Sequence, residues 1–112
     1  MKRASTFAKK IAKLLLEKKA ENIVLLDLRR LTDICDFFVI CSSTSTIHSQ
    51  ALAREVEDKF KKAWKLHHVE GYNPGTWILM DFYEVIVHIF TEGTRKFYAL
   101  EDLWGDAKRV EF

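Results

Sequence analysis

The stretch from Trp77 to Trp104 constrains the fold most strongly, because it places two apolar runs on either side of a short polar link. The runs at residues 77–80 and 85–90 are rich in β-branched and aromatic side chains, which fit the pleated surface of a strand. A polar link of this length commonly joins two antiparallel strands. A mixed aromatic and charged segment follows the second run. This order predicts a β-hairpin that leads into a short helical tail.

Alternation along the two hairpin strands predicts two chemically different faces. One face carries only aliphatic side chains: Ile78, Met80, Val85, Val87 and Ile89. The other face mixes aromatic, polar and apolar side chains: Trp77, Leu79, Asp81, Ile86, His88 and Phe90. We expect the aliphatic face to hold the hairpin to the helices and the mixed face to meet a partner.

The segments before the hairpin predict two helices and two strands. Phe7, Ile11 and Leu14 share one side of a first helix that Ser5 or Thr6 caps. Strands are predicted at residues 22–28 and 36–41, and a short strand or its approach at 67–71. A long second helix carries a stripe of apolar side chains: Leu52, Val56, Phe60 and Ala63.

The element order α-β-β-α-β-β-α predicts the α/β class, with one mixed β-sheet packed with helices. The chain has 112 residues, and 48% of them are hydrophobic. That length and composition fit one compact domain over residues 1–112. No apolar run approaches the ~20 residues that a membrane span needs, so no membrane partner is expected.

The net charge of +2 conceals a gradient. Residues 1–19 hold seven Lys or Arg and one Glu, which gives +6, so residues 20–112 sum to −4. The pattern excludes a uniformly basic nucleic-acid surface. It leaves open that the basic first helix lies beside RNA while the acidic part meets a basic protein.

Residues that often carry chemistry do not form a catalytic set in this sequence. The hydroxyl cluster at residues 42–46 has no glycine, so a helix cap at Thr44 or Ser45 is favoured over a phosphate site. The adjacent His67 and His68 are expected to point apart on a strand, so no metal is predicted. Cys35 and Cys41 are expected to be buried free thiols on one face of a strand.

The tail instead has the composition of an interface, because Trp, Tyr and Arg are the usual anchors of protein–protein contacts. Arg95, Tyr98 and Trp104 lie close together in the tail. The alternative interpretation makes Trp77 and Trp104 core residues. In that case Arg95 and Glu101 form a local ion pair.

A series of short segments becomes specific when their order and spacing are taken together. They are Asp27-Leu-Arg29, Asp36-Phe-Phe-Val-Ile-Cys-Ser42, Ser45 to Ala51, Glu70-Gly71, Trp77-Ile-Leu-Met-Asp81, Val85-Ile-Val-His-Ile-Phe90 and Arg95 to Trp104. Through these segments the chain resembles the Iojap, or ribosomal silencing factor (RsfS), family over nearly its full length. The family usually has glycine where Ser43 and Tyr83 stand, so Tyr83 predicts a different turn type.

The resemblance implies a nucleotidyltransferase-like fold and a cytoplasmic, non-enzymatic translation repressor with no cofactor and no small-molecule substrate. Such a repressor binds the large ribosomal subunit through ribosomal protein fourteen, beside ribosomal RNA. It sterically blocks joining with the small subunit, typically under nutrient limitation. The partner-binding residues implied are Trp77, Leu79, Asp81, His88, Arg95, Tyr98, Leu100, Glu101 and Trp104.

Two alternatives remain open from the sequence. One is a nucleotide-binding or nucleotidyltransferase-type enzyme that uses the segment from Ser42 to His48. The other is an RNA-binding module led by the basic first helix, which predicts steep salt dependence on naked RNA.

Overall fold

Six strands form a single mixed sheet in the computed structural model, which describes residues 3–112. The helices are α1 (Ala4–Glu17), α2 (Thr46–Phe60), α3 (Glu92–Tyr98) and α4 (Leu100–Leu103). The strands are β1 (Glu21–Asp27), β2 (Phe37–Ser43), β3 (His68–Glu70), β4 (Trp77–Asp81), β5 (Val85–Thr91) and β6 (Lys108–Arg109). Their order across the sheet is β3-β4-β5-β2-β1-β6.

The α/β class and the mixed sheet are confirmed. Strands β2 and β5 pair in parallel at the centre, and every other neighbouring pair is antiparallel. The observed element order is longer than the predicted α-β-β-α-β-β-α, because β3 and β6 add short edge strands and the tail divides into α3 and α4. The short strand predicted at residues 67–71 is present as β3, whereas a two-residue edge strand such as β6 carries too little periodic signal to be read from sequence.

The predicted hairpin and both of its faces are confirmed. Trp77 pairs with Phe90 and Leu79 with His88, whereas Ile78 pairs with Ile89 on the other face. The aliphatic face packs against α1 and α2 in the larger hydrophobic core. Because both helices cover this face, every one of its hairpin side chains is buried: Ile78, Met80, Val85, Val87 and Ile89.

The mixed face has a thinner cover. A second, smaller cluster joins Leu26, Phe38, Ile40 and Phe90, and Leu100 and Trp104 pack against it from α4 and the turn that follows. The helices on this face are only seven and four residues long. We call residues 92–104 the tail. The tail covers the mixed face only partly, whereas α1 and α2 cover the aliphatic face completely.

Three local predictions were wrong. Helix α1 begins at Ala4 after Arg3, so Ser5 and Thr6 lie inside the first turn and no side chain caps it. Helix α2 ends at Phe60, so Ala63 lies beyond it and is exposed. The two cysteines are buried and free, as predicted, but belong to different clusters, because Cys35 precedes β2 and alternation along the strand does not reach it.

The β4–β5 turn keeps a backbone shape that favours glycine, although tyrosine stands there. Tyr83 has a φ of 70°, a region that costs a non-glycine residue roughly 1–2 kcal/mol. Its N–H donates to Asp81 Oδ1 at 2.7 Å, and its hydroxyl lies 2.8 Å from His67 Nδ1. These contacts offset the strain of the left-handed backbone at Tyr83.

Among residues 3–112, no helix is both long enough and apolar enough to cross a membrane.

Candidate docking surface

The tail crosses the mixed face because the chain reverses between its two helices. Ala99 lies between α3 and α4 in a left-handed conformation, with φ and ψ both 48°. This break resets the helical phase, so Leu100 and Trp104 turn towards the sheet. Trp104 meets the Phe38 ring edge-on, with 5.9 Å between the ring centroids. The tail is thereby anchored at its C-terminal end.

The outer surface of the tail exposes three large apolar side chains. Phe97 is 82% exposed, Leu103 is 77% exposed and Tyr98 is 53% exposed. The Phe97 and Tyr98 rings meet at 5.1 Å in a T-shaped pair, and the Tyr98 ring lies 4.8 Å from Trp77. Adjacent exposed apolar side chains mark interaction surfaces more often than isolated ones do. We call Trp77, Leu79, Phe97, Tyr98 and Leu103 the docking surface.

Trp77 connects the docking surface to the layer beneath it. Its ring is half-buried and stacks on Phe90, with 4.9 Å between the centroids. Its indole Nε1 donates to His88 Nδ1 at 3.1 Å. Leu79 and Asp81, on the same strand face, are also half-buried. These three predicted residues therefore leave part of their surface exposed to solvent.

His88 lies in the inner layer, since only 3% of it is exposed. Phe38 covers its ring edge-on, with 4.5 Å between the centroids, and its Nε2 has no hydrogen-bond partner among the described residues. Burial lowers the pKa of His88 to about 3, so the imidazole is neutral at physiological pH. His88 therefore supports Trp77 from below.

Arg95 and Glu101 form an ion pair inside the tail, with side chains only 10% and 17% exposed. Arg95 Nη2 donates to Glu101 Oε2 at 2.5 Å, and Nε donates to the same oxygen at 3.1 Å. Arg95 Nη1 also donates to the Asn22 carbonyl at 2.6 Å and to Ser42 Oγ at 2.9 Å. The guanidinium thus ties the tail to β1 and β2.

The charge state of Glu101 follows from this contact. Burial opposes its ionisation, but the hydrogen bonds and positive charge of Arg95 outweigh burial and hold the pKa of Glu101 below its ordinary value of 4.5. Both partners are therefore ionised at neutral pH. The local ion pair that the sequence left open is present.

The predicted partner-binding residues thus gather in one region but occupy two layers. Tyr98 is exposed, and four others are half-buried: Trp77, Leu79, Asp81 and Trp104. Leu100 is partly buried where the tail packs on the sheet. The inner layer holds His88, Arg95 and Glu101. Phe97 and Leu103 were missed. Helical spacing would place Phe97 beside Leu100 and Trp104, and only the break at Ala99 turns it outward.

The hydroxyl segment is occupied by internal contacts. Ser45 caps α2 by accepting the His48 N–H at 3.0 Å, which confirms one of the two predicted caps. Ser43 Oγ lies 2.5 Å from Ser49 Oγ, and both residues are buried. Thr44 N–H donates to His48 Nδ1 at 3.0 Å. These groups stabilise the start of the helix.

His67 and His68 do not point apart, contrary to prediction. Strand β3 begins only at His68, so strand alternation does not govern the pair. The His67 N–H donates to the Asp81 carbonyl at 2.7 Å. The two imidazole rings meet edge-on, with 4.9 Å between their centroids. Both rings therefore lie near Asp81 at the edge of the sheet.

Comparison with protein families gives a match over residues 1–112 to the family described as "Ribosomal silencing factor during starvation". Ribosomal silencing factor RsfS of Bacillus subtilis is 38% identical over 92 residues, which cover 81% of this chain and 78% of the relative. RsfS of Halalkalibacterium halodurans is 40% identical over 96 residues, which cover 85% of this chain and 82% of the relative. Chloroplastic protein Iojap of Zea mays is 35% identical over 106 residues, covering 95% of this chain and 46% of the relative.

Comparison with solved structures gives the same architecture. The crystal structure of a Chromobacterium violaceum protein superposes with a TM-score of 0.90 at 28% identity, covering 99% of this chain and 92% of that one. A Bacillus halodurans crystal structure superposes with a TM-score of 0.79 at 32% identity, covering 96% of each chain.

Proposed function

The chain belongs to the ribosomal silencing factor family, and from this membership we propose that it binds the large ribosomal subunit through ribosomal protein fourteen. Occupying that position blocks joining with the small subunit and represses translation under nutrient limitation. The proposed activity is steric, so the protein acts as a binding factor and not as an enzyme. Its proposed location is the cytoplasm, whereas the Zea mays relative is named as chloroplastic.

The observation that carries the proposal is the exposed aromatic and aliphatic surface of the tail. Phe97 and Leu103 expose more than three-quarters of their surface. Leaving such side chains in water forgoes about 1.5–3 kcal/mol each relative to full burial. A partner that covers the docking surface recovers part of this free energy.

Charge supports the same choice of partner. Residues 66–112 hold eight acids and four bases, and this part of the chain includes the whole docking surface. Complementary charge steers association and fixes the orientation of the two surfaces. A basic ribosomal protein therefore fits this face better than an acidic one does.

The inner layer has a supporting role in this proposal. Arg95 and Glu101 hold the tail against β1 and β2, while His88 orients the Trp77 indole. These residues act through the exposed side chains that they position. We further propose that ribosomal RNA beside the docked protein lies near the lysines of α1, and that the fold is of the nucleotidyltransferase-like kind.

The test measures subunit joining in a sucrose gradient with purified subunits. Wild-type protein is expected to shift joined ribosomes towards free subunits and to sediment with the large subunit. Replacing both Phe97 and Leu103 by serine is expected to weaken binding about 100-fold. Both side chains are exposed, so the variant keeps its fold.

Ile47→Ser is the matched control. Ile47 is 74% exposed on α2, which covers the opposite face of the sheet, so this variant is expected to act as wild type does. Full anti-association activity in the Phe97/Leu103 variant contradicts the docking surface. A wild-type protein that leaves subunit joining unchanged contradicts the function itself. Crosslinking in the bound complex identifies the neighbouring ribosomal protein.

A further inference from the structure

We propose that His67, His68 and Asp81 form a binding site for one divalent transition-metal ion, with zinc as the representative cation. Each residue offers one ligand atom, and these atoms lie within 4.8 Å of one another. The cluster sits where β3 begins and β4 ends, at the edge of the sheet. It involves residues of a single chain, so the proposal does not depend on the docking function.

The environment of His68 carries the inference furthest. Its Nε2 lies 2.8 Å from Glu70 Oε2, and its Nδ1 lies 3.6 Å from Asp81 Oδ2. An ionised carboxylate only accepts hydrogen bonds, so Glu70 places the ring proton on Nε2. The Nδ1 atom of His68 faces a second carboxylate oxygen, so a metal ion at this point would contact both His68 and Asp81.

The pairing of His68 with Glu70 is also the arrangement that metal-binding histidines use. A ligating imidazole usually donates its second ring N–H to a carboxylate, which fixes its orientation and raises its basicity. Glu70, which lies two residues after His68 on β3, provides this contact.

Asp81 and His67 are each held by a second group as well. The Tyr83 N–H donates to Asp81 Oδ1 at 2.7 Å, which leaves Oδ2 to face His68. The Tyr83 hydroxyl lies 2.8 Å from His67 Nδ1, and the two rings are 4.6 Å apart. Since Tyr83 occupies Nδ1, we assign ligation by His67 to its Nε2. Both contacts originate from one turn residue with a fixed left-handed backbone.

The distances suit a small divalent ion. Zinc bonds of about 2.0–2.1 Å in a tetrahedron separate neighbouring ligand atoms by about 3.3 Å. His68 and Asp81 are close to that separation at 3.6 Å. They are also directly paired across β3 and β4, so the sheet backbone holds them together. The three ligand atoms lie up to 4.8 Å apart, which is wider than a zinc tetrahedron allows. One side chain must therefore move inward when the ion binds.

Two imidazoles and one carboxylate favour zinc over magnesium or calcium, which prefer oxygen ligands. Three protein ligands leave a fourth position for water or for a group from another molecule. Cross-strand pairs share a face, so His68 and Asp81 lie on the same face as Leu79, which pairs with Glu70. A bound ion would therefore lie at the β3 border of the docking surface.

The experiment titrates zinc into tag-free protein that has been stripped with a chelator and dialysed, with heat as the readout. One ion per chain is expected. His68→Asn is expected to lose about 100-fold or more in affinity, and Glu70→Gln about 10–100-fold, because it removes only the orienting carboxylate. Circular dichroism and thermal unfolding in chelator establish that each variant folds.

Two control variants test for other sources of binding. His48→Asn removes a histidine that bonds to Thr44 and Lys18 at the start of α2, and Cys35→Ser removes a thiol beside Asp81. Both are expected to bind zinc as wild type does. Cobalt bound in place of zinc is expected to lack a thiolate charge-transfer band.

Several outcomes overturn the proposal. They are the absence of binding heat with zinc in large excess, binding by His68→Asn as tight as that of wild type, and loss of the ion from Cys35→Ser. Each of these results is obtained on isolated protein and leaves the ribosome experiment unaffected. Loss of subunit binding by the Phe97/Leu103 variant, in turn, is expected to leave zinc affinity unchanged.

Discussion

The two faces of the sheet are covered in different ways, and the difference separates stability from binding. Helices α1 and α2, 14 and 15 residues long, cover one face with a continuous hydrophobic core. The other face is covered by α3 and α4, which contain no buried residues of their own. The helices bury the apolar side chains of the first face. The cover of the second leaves large apolar side chains exposed.

Polar groups follow the same division. On the tail side, the ion pair of Arg95 and Glu101 and the indole–imidazole contact of Trp77 and His88 replace the aliphatic packing found opposite. Hydrogen bonds and charges require defined geometry, whereas aliphatic packing depends mainly on volume. A thin cover held by a few directional contacts can present a defined surface without forming a second thick core.

The largest expected effect separates two neighbouring residues of β4. Ile78 is fully buried under α1 and α2, so Ile78→Ala is expected to lower the free energy of unfolding by about 2–5 kcal/mol. Leu79 is half-buried on the tail side, so Leu79→Ala is expected to cost less than about 1 kcal/mol. Urea unfolding followed by circular dichroism measures both. Equal losses would contradict the difference between the two faces.

A smaller effect is expected at the ion pair that anchors the tail. Arg95→Met removes the donor to Glu101, Ser42 and the Asn22 carbonyl, and it leaves a partly buried carboxylate without its cation. We expect a loss of about 2–3 kcal/mol in the free energy of unfolding at pH 7. Lys96→Met is the matched control, because Lys96 pairs with Glu92 in an exposed i,i+4 contact. This control is expected to change the free energy of unfolding by no more than about 0.5 kcal/mol.

The pH dependence of this pair has a definite sign. The pKa of Glu101 is lower in the folded protein than its ordinary value of 4.5, so its contribution is complete above pH 4.5 and is lost as the pH falls through the folded pKa. The difference between wild type and Glu101→Gln is therefore expected to shrink in acid. A difference that grows in acid would contradict the charged pair.

Much of this architecture follows from local patterns in the sequence. The hairpin faces could be predicted because alternation in β4 and β5 is strict and the aliphatic set is complete. The residues predicted to bind a partner could be placed in one region, since they lie on one strand face and in the segment that follows it. These predictions depend on periodicity, which is readable from sequence.

The division into layers could not be predicted in this way. It depends on the left-handed backbone at Ala99, which reverses the tail and exposes Phe97. Alanine gives no signal for that conformation, because glycine or asparagine usually adopts it. The approach of His67 to His68 was missed for a related reason. Where β3 begins is set by its pairing with β4, and a three-residue strand has no period of its own.

The smallest expected effect tests how tightly the tail side is closed. Burial lowers the pKa of His88 to about 3, whereas the unfolded chain binds a proton near pH 6.5. Below pH 6.5 the unfolded state therefore holds more protons, and stability is expected to fall by up to about 1.4 kcal/mol per pH unit. His88→Asn keeps an acceptor for Trp77 and removes the titration.

Comparing the two proteins between pH 6.5 and 5 isolates this effect, because the other histidines are common to both and Glu101 titrates below 4.5. Wild type is expected to lose stability relative to His88→Asn over this interval. Parallel curves would mean that water reaches His88 in the folded protein, which requires Trp77 and Tyr98 to separate from the sheet. In that case the tail would be a mobile cover, and the docking surface would be assembled only on contact with its partner.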